Sequence, residues 1–253
     1  MSGLTIDIKS KGKPVSAYIY APFYRGVEIL KRQGYRLISL EKNARLRIQK
    51  GKYADISQDG NFVREGILYV PDKGVFLVKK SPILKYVEEG LTCNIDEKDF
   101  YAYAPEIQEE FEMALKDSVR IDATQIPTNR FKDNDITTFA FDKIAEDYGK
   151  FLQEAGIKEM PICFNNSNYD NKQKTQFARQ MWFGNLLHKS GLSGFESLTH
   201  YYNIRGVFDA RCAKNLKAVK KPTLEQIVSL SKRFIPEATQ SKFKQELRKL
   251  YSK

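Results

Sequence analysis

Apolar residues recur along the chain in short segments bounded by Gly, Pro and small polar residues. Loose alternation over residues 5–20 predicts one or two strands. Pro22 then opens a helical segment that Gly34 ends, and Ser39 opens a second one that Gly51 ends. Serine caps helix N-termini, and glycine accepts the left-handed backbone that follows a last helical turn. Two helices therefore follow the first strands.

A β-hairpin is the strongest local prediction. Two apolar runs at 67–70 and 75–78 flank the turn Pro71-Asp72-Lys73-Gly74. Proline presets the dihedral angle of the second turn position, and glycine accepts positive φ at the turn's end.

The remaining pattern mixes helices and strands, and the fold class we expect is therefore α+β. Ile144, Tyr148 and Leu152 share one face and predict a buried helical stripe. The other predicted elements are a helix from Pro105, a strand at 136–141, a helix capped by Asp142 and ended by Gly156, strands at 160–164, 177–183 and 203–210, and an exposed polar loop at 165–174.

Charge separates the last 41 residues from the rest. Of the net charge of +11, residues 213–253 carry +8, from nine Lys and two Arg against three Glu. Thr223 with Gln226 forms a capping box, and Thr239 caps a second helix, so this segment predicts a helical hairpin. We expect a main domain at 1–211 and a basic helical extension at 212–253.

Several classes of function have little support. The first twenty residues lack the apolar run of a secretory signal, and no stretch has the roughly 18 apolar residues of a membrane span, so we expect synthesis and folding in a cytoplasm. Cys93, Cys163 and Cys212 are far apart and predict buried or unreactive thiols. His188 and His200 fit no metal motif, and no cofactor is expected.

Recognised catalytic motifs are also missing. The chain contains no Gly-rich phosphate loop, nucleophile elbow or kinase signature. Asp72 and Lys79 have a spacing found in metal-dependent nucleases, but Leu77 stands where such a centre needs a second acid.

The segment 182–203 mixes aromatic, amide and hydroxyl side chains with no period of 2 or 3.6. It therefore predicts neither a regular strand nor a regular helix. Exposed aromatic groups on a loop are typical of a binding surface. The alternative is a loop whose aromatic side chains face the core.

Two stretches resemble one family. Gly34-Tyr35-Arg36-Leu37-Ile38-Ser39 resembles the G-x-R-L-P-S/T turn of C-type lectin-like domains of the formylglycine-generating-enzyme kind. Trp182 with Ile204-Arg205-Gly206-Val207 resembles their closing W…VRGV segment. More closely, the closing segment is similar to the variable region of proteins diversified by retroelements, especially archaeal and viral members.

The resemblance implies a C-type lectin-like domain with a non-enzymatic role in binding a variable protein or surface ligand; it leaves virion association open and does not distinguish virion from host attachment. Adenine mutagenesis in such a region reaches Phe, Tyr, Leu, His, Ser, Thr, Asn, Gly and Asp, but not Lys, Glu, Gln, Met or Trp. Lys189 and Glu196 should therefore be constant, and Trp182, Leu186, Leu198, Arg205 and Val207 should hold the scaffold. The implied ligand-binding residues are Phe183, Asn185, Leu187, His188, Leu192, Phe195, Ser197, Thr199, Tyr201, Tyr202 and Asn203.

The chain departs from the family at three places. Ile38 replaces the usual proline, Lys42 stands where an acid is usual, and a basic tail follows the closing segment. The cysteines do not reproduce the two-cysteine oxidase site, which disfavours a lectin-fold enzyme. The main alternative function is nucleic-acid binding through the tail, where Lys and Arg would neutralise phosphates.

A salt titration separates the two functions. We expect the full chain to show no micromolar affinity for a labelled oligonucleotide by fluorescence anisotropy, because the tail's apolar stripe predicts a packed helical hairpin. Micromolar binding that collapses between about 50 and 200 mM salt, and that is lost from a chain ending at Arg211, would instead assign the protein to the nucleic-acid-binding class.

Overall fold

The computed structural model describes residues 4–11, 13–88, 108–164, 176–194 and 196–210. The chain divides into two units, Met1–Ala213 and Lys214–Lys253, and all described residues lie in the first. The helices predicted for the tail, the loop predicted at 165–174 and the helix start predicted at Pro105 lie outside the described residues.

Helices and strands are mixed along the described residues. The α-helices are α1 (Phe23–Arg32), α2 (Leu40–Lys50), α3 (Asp55–Gln58), α4 (Pro82–Glu88), α5 (Gln108–Lys116), α6 (Asp135–Phe141) and α7 (Ala145–Glu154), with 3-10 turns at Thr128–Asp133 and Asp142–Ile144. The strands are β1 (Thr5–Ser10), β2 (Lys13–Ala21), β3 (Tyr35–Leu37), β4 (Asn61–Val70), β5 (Gly74–Val78), β6 (Ser118–Ile121), β7 (Gln125–Pro127), β8 (Glu159–Cys163), β9 (Phe177–Phe183), β10 (Leu192–Ser193) and β11 (Tyr202–Phe208). None of the helices in the described segments has the length and apolarity needed to span a bilayer.

The strands pair in the order β1-β2-β11-β4-β9-β10-β8-β7, with β3 on β11 and β5 joining β4 to β6. β11 occupies the centre of this sheet. It pairs antiparallel with β2 and β3 and parallel with β4, where Ile204 lies opposite Phe62. The end of the described chain is therefore inserted between strands from its beginning.

Two apolar clusters cover the sheet. One contains Tyr148 and Phe183 with side chains from α2, α6 and α7, and the other contains Phe23 and Phe62 with side chains from α1, α4 and α5. The neighbouring residues Trp182 and Phe183 contact different clusters, because consecutive strand side chains point to opposite faces. β9 is consequently buried on both faces.

The predicted helix pair and hairpin are confirmed. Ser39 Oγ accepts a hydrogen bond from Lys42 N at 3.2 Å, and Gly51 ends α2 with φ of 87°. β4 and β5 pair antiparallel with Val70 opposite Gly74. Asp72 and Gly74 both have positive φ, so the turn has the backbone that its residue types predict.

The strand predicted at 136–141 is wrong, because these residues form α6. Asn134 caps this helix: its Oδ1 accepts hydrogen bonds from Ile136 N and Thr137 N, both at 3.1 Å. The β-branched and aromatic composition of the segment suggested a strand. Capping and burial of Ile136 and Phe141 outweigh that preference.

The helix that follows is confirmed, but its predicted cap is wrong. Asp142 has φ of 53° and begins a short 3-10 turn, and α7 starts at Ala145. Ile144, Tyr148 and Leu152 form the predicted buried stripe.

A buried ion pair joins the two ends of the main unit. The Arg205 side chain is completely buried, and its Nη1 donates to Asp7 Oδ2. The β1–β2 register shifts between Ile6 and Ile8, so Asp7 lies at a bulge, which re-aims a side chain. Burial lowers the pKa of Arg205 to about 10, and the guanidinium therefore stays charged at neutral pH. Its Cζ also lies 5.1 Å from the centroid of the Tyr18 ring.

A second buried charged group lies at the irregular part of β4. Glu65 is 1% exposed, and its Oε2 accepts a hydrogen bond from Leu40 N at 2.9 Å, at the start of α2. Burial raises the pKa of Glu65 to about 7, although this hydrogen bond and the nearby Arg64 and Lys79 oppose the shift. The carboxyl is thus close to half protonated at neutral pH.

The raised pKa of Glu65 predicts a pH-dependent stability. The folded protein binds this proton more tightly than the unfolded chain, whose glutamate pKa is 4.5. The stabilisation is therefore complete below pH 4.5 and is lost as the pH rises through about 7. Relative to Glu65→Gln, wild type should lose about 3 kcal/mol of unfolding free energy between pH 4.5 and 8, measured by urea denaturation at each pH.

The matched control is Glu154→Gln, which changes an exposed carboxylate. The free energy of unfolding of this variant should change with pH in parallel with that of wild type between pH 4.5 and 8. A Glu65→Gln variant that also ran parallel to wild type would show that Glu65 is ionised in the folded protein throughout.

Candidate ligand-binding site

The turn that follows β9 is anchored on a buried arginine. Arg47 of α2 is completely buried. Its Nη1 donates to Gly184 O at 2.9 Å and to Ser190 Oγ at 3.1 Å, and its Nε donates to Ile56 O at 3.0 Å. The guanidinium also lies 4.1 Å from the centroid of the Phe183 ring. One side chain thus joins α2, α3 and both ends of the turn.

Hydrogen bonds within the turn, and one to Gln58 of α3, hold the turn after β9 closed. Asn185 Nδ2 donates to Gln58 O at 2.8 Å, and Asn185 Oδ1 accepts from His188 N at 2.9 Å. Ser190 N donates to Asn185 O at 2.8 Å. Lys189 and Ser190 both have φ of 52°, a left-handed backbone that needs support from its surroundings. The turn therefore has a defined backbone.

Three consecutive side chains of this turn reach solvent. Leu187 is 80% exposed, and His188 and Lys189 are also exposed. An apolar side chain held this far out on a fixed turn is available for contact with another molecule.

A second pair of exposed residues, Tyr201 and Tyr20, lies where segment 182–203 leads into β11. Tyr201 is 59% exposed, and its ring centroid lies 5.7 Å from that of Tyr20, which is 53% exposed. Tyr20 lies opposite Asn203 across the β2–β11 pair. Tyr20 could not be recognised as part of this surface from the sequence, since only the pairing of β2 with β11 brings it to Tyr201.

Trp182 packs against Tyr202, the first residue of β11. Its ring lies 4.9 Å from the Tyr202 ring and 5.2 Å from the Phe62 ring, between centroids. A Cβ at Gly60 would come within 2.5 Å of the Trp182 ring, so glycine is required there. Trp182 is partly buried between these groups.

Glu196 fixes Tyr202 from the loop. Its Oε2 accepts a hydrogen bond from the Tyr202 hydroxyl at 3.2 Å, and its Oε1 accepts one from Ser193 Oγ at 3.4 Å. Burial, and then the Glu196 carboxylate, raise the pKa of the Tyr202 hydroxyl. Tyr202 therefore remains a hydrogen-bond donor at neutral pH.

The structure removes three residues from the predicted surface. Phe183 is completely buried and Leu192 is 1% exposed, and both pack in the cluster that contains Tyr148. The prediction that they face a ligand is wrong, because their side chains point into this apolar cluster and not to solvent. Ser197 is 9% exposed and bonds to Thr199 at 2.9 Å, so it too serves the loop's own structure.

The remaining predicted residues differ in exposure. Asn185 is half-buried and holds the turn. Phe195 lies outside the described residues. The exposed or half-buried positions that remain are Leu187, His188, Thr199, Tyr201, Tyr202 and Asn203.

The arrangement is suited to contact and hydrogen bonding. Cys163 is a free, exposed thiol, so of the two predicted alternatives, buried or unreactive, it is not the buried one. Partial burial of its sulfur, together with Glu196, raises its pKa, which disfavours the reactive thiolate. Cys93 and Cys212 lie outside the described residues. Over the segments that the structure describes, no three acidic, His or Cys side chains gather as a metal site would require.

A comparison with solved structures decides the fold. A protein from Nanoarchaeota, described as accommodating massive sequence variation by the C-type lectin fold, matches with a TM-score of 0.59 and 14% identity, over 80% of this chain and 99% of that one. This chain has a C-type lectin fold. The α+β, C-type lectin-like prediction is therefore confirmed. No protein-family model and no curated protein matches the sequence.

Within the C-type lectin fold, the predicted scaffold residues lie as follows. Leu198 and Arg205 are buried, and Leu198 O accepts a hydrogen bond from Phe23 N at 2.9 Å. Leu186 and Val207 are partly buried against the apolar cluster. The segment 182–203 therefore has buried supports between its exposed positions.

Burial divides the predicted residues into two energetic classes. Phe183→Ala removes a fully buried aromatic ring and should lower the free energy of unfolding by about 3 to 5 kcal/mol. Tyr201→Ala removes an exposed ring and should change it by less than about 1 kcal/mol. Chemical denaturation of both variants measures the difference.

Leu187→Ala, on the exposed turn, serves as a second surface control and should match wild type within about 0.5 kcal/mol. A larger loss for Tyr201→Ala than for Phe183→Ala would show that the Tyr201 side of the loop is core.

Proposed function

We propose that this protein is a non-enzymatic binding protein that recognises a macromolecular ligand through segment 182–203. The observation that carries the proposal is the exposure of Leu187, His188 and Tyr201 on backbone that Arg47 and the return to β11 hold in place. Fixed backbone with exposed apolar and aromatic side chains loses little conformational entropy on binding.

The exposed residue types favour a protein or other large ligand. Tyrosine provides a large contact area with few rotatable bonds and carries a hydroxyl for hydrogen bonding. Tyr201 and Tyr20 together present two such rings. Burying apolar area contributes about 25 cal/mol per Å², so these rings and Leu187 are suitable anchors for an interface.

We further propose that a retroelement diversifies the segment. Leu187, His188 and Tyr201 all belong to the residue types that adenine mutagenesis reaches. Glu196 does not belong to them, and it is the residue that holds Tyr202 and Ser193. Support comes from the exposure of these three reachable positions and from the structural role of Glu196.

The domain assignment is part of the proposal. We place the ligand surface in the domain at 1–211 and treat the basic extension at 212–253 as a separate element. The high positive charge of the extension then contributes nothing to recognition by the loop.

Comparison of this gene among isolates tests the proposal. Differences should concentrate at Leu187, His188, Thr199, Tyr201 and Asn203, because substitutions there leave the buried framework intact. Lys189, Glu196 and Trp182 should remain constant. Exchanging residues 183–203 between the proteins of two isolates should then exchange the ligand that each protein binds in the same binding assay. Matched melting temperatures are the control for folding.

Phe183 and Leu192 provide the internal comparison. Both belong to the reachable residue types but are buried, so they should be constant or change only among large apolar residues. Differences spread evenly over residues 1–253 would contradict diversification. Ligand binding that did not follow the exchanged segment would contradict the binding surface.

A further inference from the structure

A cavity of about 410 Å³ lies at the other end of β11. It is bounded by the first turn of α2, by β3 and by the last residues of β11. The polar and charged lining residues are Arg36, Ser39, Glu41, Lys42 and Arg64, and the apolar ones are Val15, Leu37, Val207 and Phe208. Its volume falls in the range of small-molecule sites.

Two of the three cations in this lining have no counter-ion within the described part of the chain. Arg36 pairs with Asp209 at 2.6 Å, and Glu41 pairs with Arg45 at 2.5 Å. For Lys42 and Arg64 the described residues provide no ion pair, although Arg64 lies near the buried Glu65 carboxyl, which is about half protonated at neutral pH. The cavity therefore has an excess of two positive charges beside its apolar wall.

Arg64 lines the cavity and has one side-chain donor without a partner in the described part of the chain. Its Nε is buried and has no hydrogen-bond partner among the described residues. Its backbone is fixed, because Arg64 N donates to Ile38 O at 2.8 Å and Arg64 O accepts from Ser81 N at 3.0 Å. A buried N–H without an acceptor is costly, so the Arg64 guanidinium has unused hydrogen-bonding capacity beside the cavity.

The first turn of α2 adds to the positive potential. Ser39, Glu41 and Lys42 line the cavity from the helix N-terminus, where the helix dipole favours an anion. This contribution is smaller than that of the two cations, since Ser39 Oγ and Glu65 already accept hydrogen bonds from Lys42 N and Leu40 N.

We propose that this cavity binds a small phosphate monoester. Two unpaired cations match the charge of a phosphate dianion, and Arg64 supplies donors of the kind that phosphate oxygens accept. Val15, Leu37 and Val207 give the organic part of the ligand an apolar wall, and Phe208, which is 41% exposed, lies at its edge.

The site is separate from the surface at 182–203. Tyr202 begins β11 and Phe208 ends it, so the two regions are about 20 Å apart at roughly 3.3 Å per strand residue. The inference does not depend on the proposed function.

Calorimetric titration of the full chain with phenyl phosphate, at constant ionic strength with chloride as the reference anion, tests the site. Wild type should bind phenyl phosphate more tightly than inorganic phosphate, because the ring adds apolar contact. Lys42→Gln should weaken binding about tenfold or more, as expected for loss of one charge-assisted contact. Lys50→Gln removes the same charge from the other end of α2 and should bind as wild type does.

Arg64→Met provides a second test, with circular dichroism to confirm its fold. It should also lose binding, and Lys42→Gln alone decides the matter if Arg64→Met does not fold. Three results would overturn the proposal: no heat beyond that of chloride, equal losses for Lys42→Gln and Lys50→Gln, or binding of benzoate as tight as that of phenyl phosphate.

Discussion

The hydrogen bonds of Arg47 hold together the part of the fold from which the candidate surface projects. A buried guanidinium has five N–H donors in a fixed plane and needs acceptors for them. Here the acceptors come from α3, from Tyr148 of α7 and from the turn after β9. Because these elements are far apart in sequence, the arginine can be satisfied only when the helices and the turn have reached their final positions.

The kind of acceptor that Arg47 uses determines which residues of the candidate surface can be substituted without loss of these hydrogen bonds. Ile56 and Gly184 contribute main-chain carbonyl oxygens, which are present whatever side chain a residue carries. Substitution at Leu187 or His188 therefore leaves the anchoring hydrogen bonds in place. Asn185 is different, since its side chain closes the turn, and variation there would act on the backbone as well as on the surface.

Local sequence rules predicted the elements whose ends carry their own chemistry. Ser39 and Gly51 bound α2, and the turn before Gly74 sets the hairpin, because caps and turns depend on a few adjacent residues. At residues 136–141 the same rules predicted a strand, and this prediction was wrong. The β-branched and aromatic residues there favoured a strand, whereas in the structure Asn134 caps a helix.

The candidate site was predictable as a segment but not residue by residue. Phe183 and Leu187 are both reachable, apolar and only four positions apart, yet one is completely buried and the other is 80% exposed. β9 is covered on both faces, so it has no alternation from which burial could be inferred. Tyr20 and Arg47 join the site through strand pairing and tertiary hydrogen bonds, which a single sequence does not reveal.

The central position of β11 also determines when the domain can fold. β2 and β4 cannot complete the sheet until the strand between them exists, and Arg205 neutralises Asp7 from a distance of almost two hundred residues. Contacts of such long range slow folding, because the loop must close before they stabilise the chain. During synthesis the edge of β2 that pairs with β11 stays open until residue 208 has left the ribosome. An open strand edge is a template for pairing with another chain, and here it persists for longer than in a chain built from successive hairpins.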